Sequence, residues 1–306
     1  MKILLLGATG QVGVELLRTL PPLGEIVCAA LGGELADKSH CIDVDFTRSA
    51  SLAAAMDEAN ADIIVNAAAY TAVDRAEDEP ELADRINHLA VAEIGAWAAR
   101  HAARVIHYST DYVFDGASTR PYREDDATAP LGIYGRTKLD GEQALHESGA
   151  RHLLLRTAWV YAAHGHNFAR TMLRLAGERD ELRVVSDQIG APTPARLIAE
   201  TTTAALRAWL DRGDIGGTYH VVSAGRCSWF DFAVAILHGA VERGLIERLP
   251  RMDPIATADY PTRARRPAFS VLDCGRIEAA LGIQLPSWES GLTGVLDELA
   301  SQTAGR

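Results

Sequence analysis

The chain has no long uncharged hydrophobic run. Its first apolar stretch, Ile3-Leu4-Leu5-Leu6, stops at Gly7. That is too short for a signal-peptide core or a bilayer span, and no later segment is longer and charge-free, so no membrane association is expected. Cysteine is sparse: Cys28, Cys41, Cys227 and Cys274 stand far apart with no C-x-x-C pair. This argues against a disulfide framework and for reduced thiols in a cytoplasmic protein. None of the histidines stands in an H-E-x-x-H spacing, and His164-Gly165-His166 reads as a surface loop. No catalytic metal is therefore expected. Positive charge is outweighed, with 30 Lys and Arg against 41 Asp and Glu, a net charge of −11. So acidic a chain argues against nucleic-acid partners. Lysine is the scarcest cation: Lys2, Lys38 and Lys138 are all there is. There is no internal repeat and no low-complexity linker.

What is present is an alternation. Ile3–Leu6, 25–30, Ile63-Ile64-Val65, 104–108 and Leu153-Leu154-Leu155 read as strands. Between them, 11–20, 80–100 and 134–146 read as helices. Short continuous apolar strands alternating with helices imply a parallel sheet covered on both faces. In the second half, 182–185 and 218–222 look strand-like, and 195–210 and 229–240 helical. The expected fold is α/β: a Rossmann-type doubly wound parallel sheet over residues 1–160, also receiving 195–215, with a smaller C-terminal α/β substrate domain, mainly 161–306.

Gly7-Ala8-Thr9-Gly10-Gln11-Val12-Gly13 joins the first strand to the first helix. Glycines there permit a tight turn and close approach of backbone to a pyrophosphate, which the helix N-terminus attracts through free N–H groups. A glycine turn without a ligand is the plain alternative, but this placement favours a dinucleotide. An acid about twenty positions on commonly holds the ribose of NAD. Here the second strand ends at Ala29-Ala30-Leu31 without one, which leans toward NADPH with NADH also admitted. No arginine stands there either; Lys38 is a candidate phosphate partner.

Tyr134 and Lys138 are four residues apart and share one helical face. A neighbouring ammonium lowers a phenol's pKa and makes a general acid for a carbonyl becoming an alcohol. The alternative, an exposed tyrosine beside a solvated lysine, is weakened by the scarcity of lysine. At the end of the fourth strand stand Ser109 and Thr110. Ligands sit beyond strand C-termini in such sheets, and either hydroxyl could bind a substrate oxygen, or cap a turn.

Together these elements resemble the extended short-chain dehydrogenase/reductase superfamily and, more narrowly, its dTDP-4-dehydrorhamnose reductase family. The similarity also rests on Asp62–Asp74, His107–Phe114, Arg156–Tyr161, Asp187–Thr193 and Tyr260–Pro267, and runs almost end to end. The resemblance implies NAD(P)H-dependent reduction of the C4 keto group of dTDP-4-dehydro-L-rhamnose. Tyr134 would donate the proton, Lys138 would hold the nicotinamide ribose and tune the tyrosine, and Thr110 would bind the C4 oxygen. Gly7, Gly10, Gln11, Val12 and Gly13, then Asp45 and Phe46, then Ala67, Ala68 and Ala69 would line the cofactor. Asp111 and Trp159 would contact the sugar. Asn167, Gln188, Arg263 and Arg266 would serve the nucleotide end, although a core tryptophan and a solvated arginine loop are the plain alternatives. Relatives with interfacial magnesium use two carboxylates; Glu15 matches one position, but Arg196 stands at the other, which puts magnesium in doubt. The chain is expected to be a monomer or homodimer. The competing readings are a sugar-nucleotide epimerase or dehydratase that recycles its NAD, and a non-enzymatic NADP-binding regulatory subunit.

Overall fold

The first strand, β1 (Lys2–Leu6), sends alternate side chains to opposite faces, as any extended strand does. Ile3 and Leu5 enter one apolar core with Leu16, Leu20, Ile198 and Leu206. Leu4 and Leu6 enter another with Leu52, Met56, Ile94 and Trp97. All four strand residues are fully buried, each burial stabilising the fold by ~1.5–3 kcal/mol. A strand buried on both sides must lie inside a sandwich of helices, and it does. The computed structural model describes residues 1–213 and 215–304.

β1 is central in a seven-stranded sheet. On one side lie β2 (Glu25–Ala30) and β3 (Ile42–Asp43). On the other lie β4 (Ile63–Asn66), β5 (Arg104–Thr110), β6 (Arg151–Thr157) and finally Gly217–His220. Every neighbouring pair is parallel. The strand order reverses between β1 and β4, so the connections that follow them run to opposite sides of the sheet and leave a crevice at the strand C-termini. The fold is thus the Rossmann-type α/β sheet that the alternation implied.

Three details differ from the sequence reading. β3 has only two residues amid polar ones and leaves no periodic trace. The single helix expected over 80–100 is Pro80–Asp84, a π-turn Arg85–Leu89, and Ala90–His101. The wide turn carries Asn87, whose amide accepts from the Tyr70 N–H at 2.9 Å and donates to the Tyr70 carbonyl at 3.0 Å. The third concerns how much of the later chain joins the first sheet beyond the expected 195–215. The helix Ala195–Arg212 packs on α1 (Gln11–Thr19), and Gly217–His220, read as part of the second half, pairs with β6 as the sheet edge. The first sheet therefore takes back Gly217–His220, beyond 215, because β6 would otherwise expose an unpaired apolar edge.

What is left has its own core of Tyr161, Met172, Leu182, Phe232, Ile236, Trp288 and Leu296. Its strands Glu181–Val185 and Arg251–Ile255 pair in parallel.

Candidate active site

A cleft of about 730 Å³ opens at the C-terminal ends of β1, β4 and β5, against the second core. The glycine turn forms one wall. Gly7 has φ +78°, and a Cβ there would lie 2.6 Å from the Ala68 nitrogen; one on Gly13 would lie 2.1 Å from the Gly7 carbonyl oxygen. Only glycine lets the turn pass so close to the Ala67–Ala69 loop and lets α1 start so near β1. No side chain caps α1, so its first-turn N–H groups are left for another acceptor, and Gly10, Gln11 and Val12 face the cleft. This cradle fits a dinucleotide diphosphate. Asp45, Phe46 and Ala67 to Ala69 also line the cleft, whereas Gly13 lies behind it, serving the packing of α1. Asp45 braces its own loop by accepting from the Thr47 N–H at 2.9 Å and hydroxyl at 2.6 Å. Lys38 is not brought to the cleft: it is exposed and paired with Glu34 at 2.8 Å.

The reactive groups stand at the middle of the cleft. Tyr134 and Lys138 lie one turn apart on the helix Ile133–Glu147. A Cβ on Gly135 would lie 2.2 Å from the Tyr112 carbonyl oxygen, so the glycine after Tyr134 lets the helix start press against the turn following β5. Lys138 is buried; its Nζ donates to the Tyr108 carbonyl at 2.6 Å and lies 3.3 Å from His107 Nε2. Burial pushes the Lys138 ammonium down to about 8, and Glu142 one turn on opposes this. Glu142 is itself gripped by Arg156 at 2.6 Å. The Tyr134 phenol is not lowered as its spacing from Lys138 suggested. Burial pushes it up to about 12, hydrogen bonding with Thr110 works against that, and the Asp111 charge adds to the rise. The ammonium is engaged with the backbone of β5 instead. A raised pKa keeps the phenol protonated, the form a proton donor needs.

Thr110 and Ser109 both face the cleft, and the structure separates them. Thr110 lies near enough to the phenol to oppose its rise, donates to Asp111 Oδ1 at 3.0 Å and accepts from the Tyr112 N–H at 3.2 Å. The Ser109 hydroxyl is buried without a hydrogen-bond partner. Asp111 is buried beside them, its carboxyl pushed up to about 6 by burial.

The far wall is aromatic. Trp159 has φ +49°, a strained conformation for a bulky residue, and its indole stacks on Trp229. Both line the cleft. Trp229 opens the helix Trp229–Glu242 and gave no signal beyond helical periodicity. The His164–His166 segment is an exposed bend at the surface, and it touches the site: His164 Nε2 lies 2.9 Å from Glu15, and His166 lines the cleft.

Four expected nucleotide-end residues lie outside the cleft lining. Asn167 caps the helix Phe168–Glu178, accepting from the Arg170 N–H, while its amide donates to Gln11, Ala162 and His164. Its polar capacity is thereby spent on the fold. Gln188 is buried and donates to Thr257 at 3.0 Å. Arg263 pairs with Asp78, and Arg266 with Asp74 at 2.8 Å. These pairs fasten the proline- and arginine-rich stretch to the segment after β4.

The residues around Glu15 do not fit a divalent cation. This nearly buried carboxylate is held by Arg18 at 3.0 Å, His164 at 2.9 Å and Arg196 at 3.3 Å. A magnesium ion would meet two guanidinium charges, one of which, Arg18, also occupies the neighbouring carboxylate of Glu298 at 3.2 Å.

The model of the RmlD substrate binding domain family matches residues 1–301. A dTDP-4-dehydrorhamnose reductase of Escherichia coli (strain K12) is 47% identical over 304 residues, covering 99% of this chain and 100% of the relative. One from Burkholderia thailandensis is 45% identical, with 99% and 100% covered. Among solved structures, a dTDP-4-dehydrorhamnose reductase from Bacillus anthracis in complex with NADP superimposes with a TM-score of 0.84, at 32% identity, over 97% of this chain and 99% of that one.

Proposed function

The chain belongs to the dTDP-4-dehydrorhamnose reductase family, and from that premise we infer that it reduces the C4 keto group of dTDP-4-dehydro-L-rhamnose with NADPH, giving dTDP-L-rhamnose. The observation that carries this reading is the meeting of Tyr134, Thr110 and Lys138 in the same cleft as the uncapped glycine turn.

Bound NADPH supplies the hydride. The Gly7–Gly13 turn and the first turn of α1 hold its diphosphate, and Asp45, Phe46 and Ala67 to Ala69 form the wall beside it. Lys138 holds the nicotinamide ribose through its ammonium. Thr110 and Tyr134 both donate to the sugar C4 oxygen, so that negative charge developing there is met at once. Tyr134 then passes its Oη proton to that oxygen, and the Lys138 ammonium one turn on would stabilise the phenolate left behind. Trp159 and Trp229 form an apolar platform for the face of the sugar, and Asp111 accepts from one of its hydroxyls. Arg263 and Arg266 reach the nucleotide end only by giving up Asp78 and Asp74, so their part there depends on movement of the stretch that carries them.

No helix among the described residues is long and apolar enough to cross a membrane. The work is placed in the cytoplasm, where NADPH is made, with a monomer or homodimer as the working unit and neither nucleic acid nor membrane as partner. The test is NADPH oxidation by the purified chain with substrate generated in situ from dTDP-4-keto-6-deoxyglucose and a separate epimerase. Stoichiometric oxidation with dTDP-L-rhamnose as product supports the assignment. Turnover of a sugar nucleotide without net cofactor consumption points to an epimerase, and binding of NADPH without turnover to a regulatory subunit.

A further inference from the structure

Behind the catalytic helix lies a line of buried polar groups that the reduction does not use directly. Asn66 ends β4, and His107 is its register partner on β5. Asn66, His107 and Lys138 are all nearly or fully inaccessible to water. The Ala68 N–H donates to Asn66 Oδ1 at 3.1 Å, which fixes the direction of the amide. Its Nδ2 then faces His107 Nδ1 at 3.1 Å. An amide NH2 can only donate, so Nδ1 is an acceptor. A neutral imidazole has one acceptor and one donor, so the proton stands on Nε2, which faces Lys138 Nζ at 3.3 Å.

An ammonium has three N–H groups and no acceptor. One Lys138 N–H is taken by the Tyr108 carbonyl. Toward His107 an ammonium would set N–H against N–H, whereas a neutral amine offers its lone pair. The reverse assignment, an imidazolium beside a lysine, places two like charges together in the interior; burial and Lys138 both hold His107 well below its usual range.

We propose that His107, held in its Nε2–H tautomer by Asn66, is a positioning residue that disfavours the ammonium form of Lys138 in the cofactor-free protein. The other charged or titratable groups facing the lysine are Glu142 on its own helix, which favours the ammonium, and Arg156 on β6, which neutralises Glu142; Tyr134 is uncharged and His152 acts on His107 only at a distance. Because the Asn66 amide is fixed by a nitrogen of the cofactor-lining loop, a shift of Ala67–Ala69 on binding would release the tautomer and let the lysine take a proton. The relevance to turnover rests on the reductase reading; the tautomer and the lysine's protonation do not.

The chain's three lysines make a direct test practical. In cofactor-free protein labelled at lysine Cε, three NMR resonances are followed against pH, with Lys138→Arg identifying the third. Lys138 is expected to titrate near 8, while nitrogen-15 histidine spectra show His107 as the Nε2–H tautomer. Asn66→Asp places a carboxylate against Nδ1, which should move the proton to Nδ1, turn Nε2 into an acceptor and raise the Lys138 midpoint by at least one pH unit. His107→Gln, which can turn its amide oxygen to the ammonium, should raise it similarly and carry the alkaline limb of kcat upward with it. A wild-type Lys138 that titrates at the ordinary lysine value of about 10.4, or an Nδ1–H tautomer, overturns the proposal. So does a midpoint unmoved in whichever variant folds. If the midpoint moves but no reductase activity is found, the functional reading has failed and this one stands.

Discussion

The indole of Trp159 lies flat on that of Trp229, ring centroids 3.5 Å apart and planes 7° from parallel. One ring follows β6 and the other opens a helix of the second core, so the pair ties the two halves of the cleft together. Gly190 makes room: a Cβ there would lie 2.4 Å from the Trp159 ring. Gly190→Ala must push the indole off its partner. The expected result is a substrate KM raised at least several-fold with the NADPH KM little changed, measured by steady-state kinetics. Equal rises in both would show that Trp159 does not belong to the sugar side.

Tyr134→Phe keeps the ring and removes the proton. General acid catalysis contributes ~10²–10⁴-fold, so kcat should fall by about that factor while NADPH still binds, as read by fluorescence titration. A variant retaining more than half the turnover would remove Tyr134 from the role.

Asp111 links stability to pH. Burial raises its carboxyl from the ordinary 3.8 to about 6. The folded state therefore holds this proton more tightly than the unfolded chain, and stability falls as pH rises through the window from about 4 to 6. Asp111→Asn removes that penalty. Denaturant titration should find it more stable than wild type by on the order of 3 kcal/mol at pH 8, with the gain shrinking toward pH 4. An equal difference at both pH values would mean that the carboxyl titrates normally.

Because Glu15 is already matched by Arg18, His164 and Arg196, reductase activity should be the same in EDTA as in magnesium. Activity abolished by chelation and restored by magnesium would contradict this.

The strand end at Ala30-Leu31 presents no carboxylate to the cleft, and the nearby Asp43 is held by the Gly32 N–H at 2.7 Å. The carboxylate that does line this part of the cleft, Asp45, is engaged by Thr47, so the KM for NADPH should not exceed that for NADH. Parallel assays decide it; a much lower value for NADH would point to Asp45 holding the ribose.

The parallel sheet was legible because strands buried on both faces have to be continuously apolar, and the glycine turn because no other residue lets backbone approach backbone so closely. The Tyr134–Lys138 pair was legible because a helix places residues four apart on one face, in a chain with almost no other lysine. Those are local properties, and local physics determined them. The tertiary structure decided everything that depends on which distant groups meet. It tied the Thr110 hydroxyl to Asp111 and left that of Ser109 buried without a partner among the described residues. It spent the Lys138 ammonium on the Tyr108 carbonyl and set His107 against it. It sent Gly217–His220 back to close an edge of the first sheet, a pairing no periodicity encodes. It paired Trp229 with Trp159, while occupying Asn167 in a helix cap and Arg263 and Arg266 in ion pairs. A side chain's chemistry can be read from its type, but whether its hydrogen bonds remain free for a ligand is settled only by the neighbours that folding supplies.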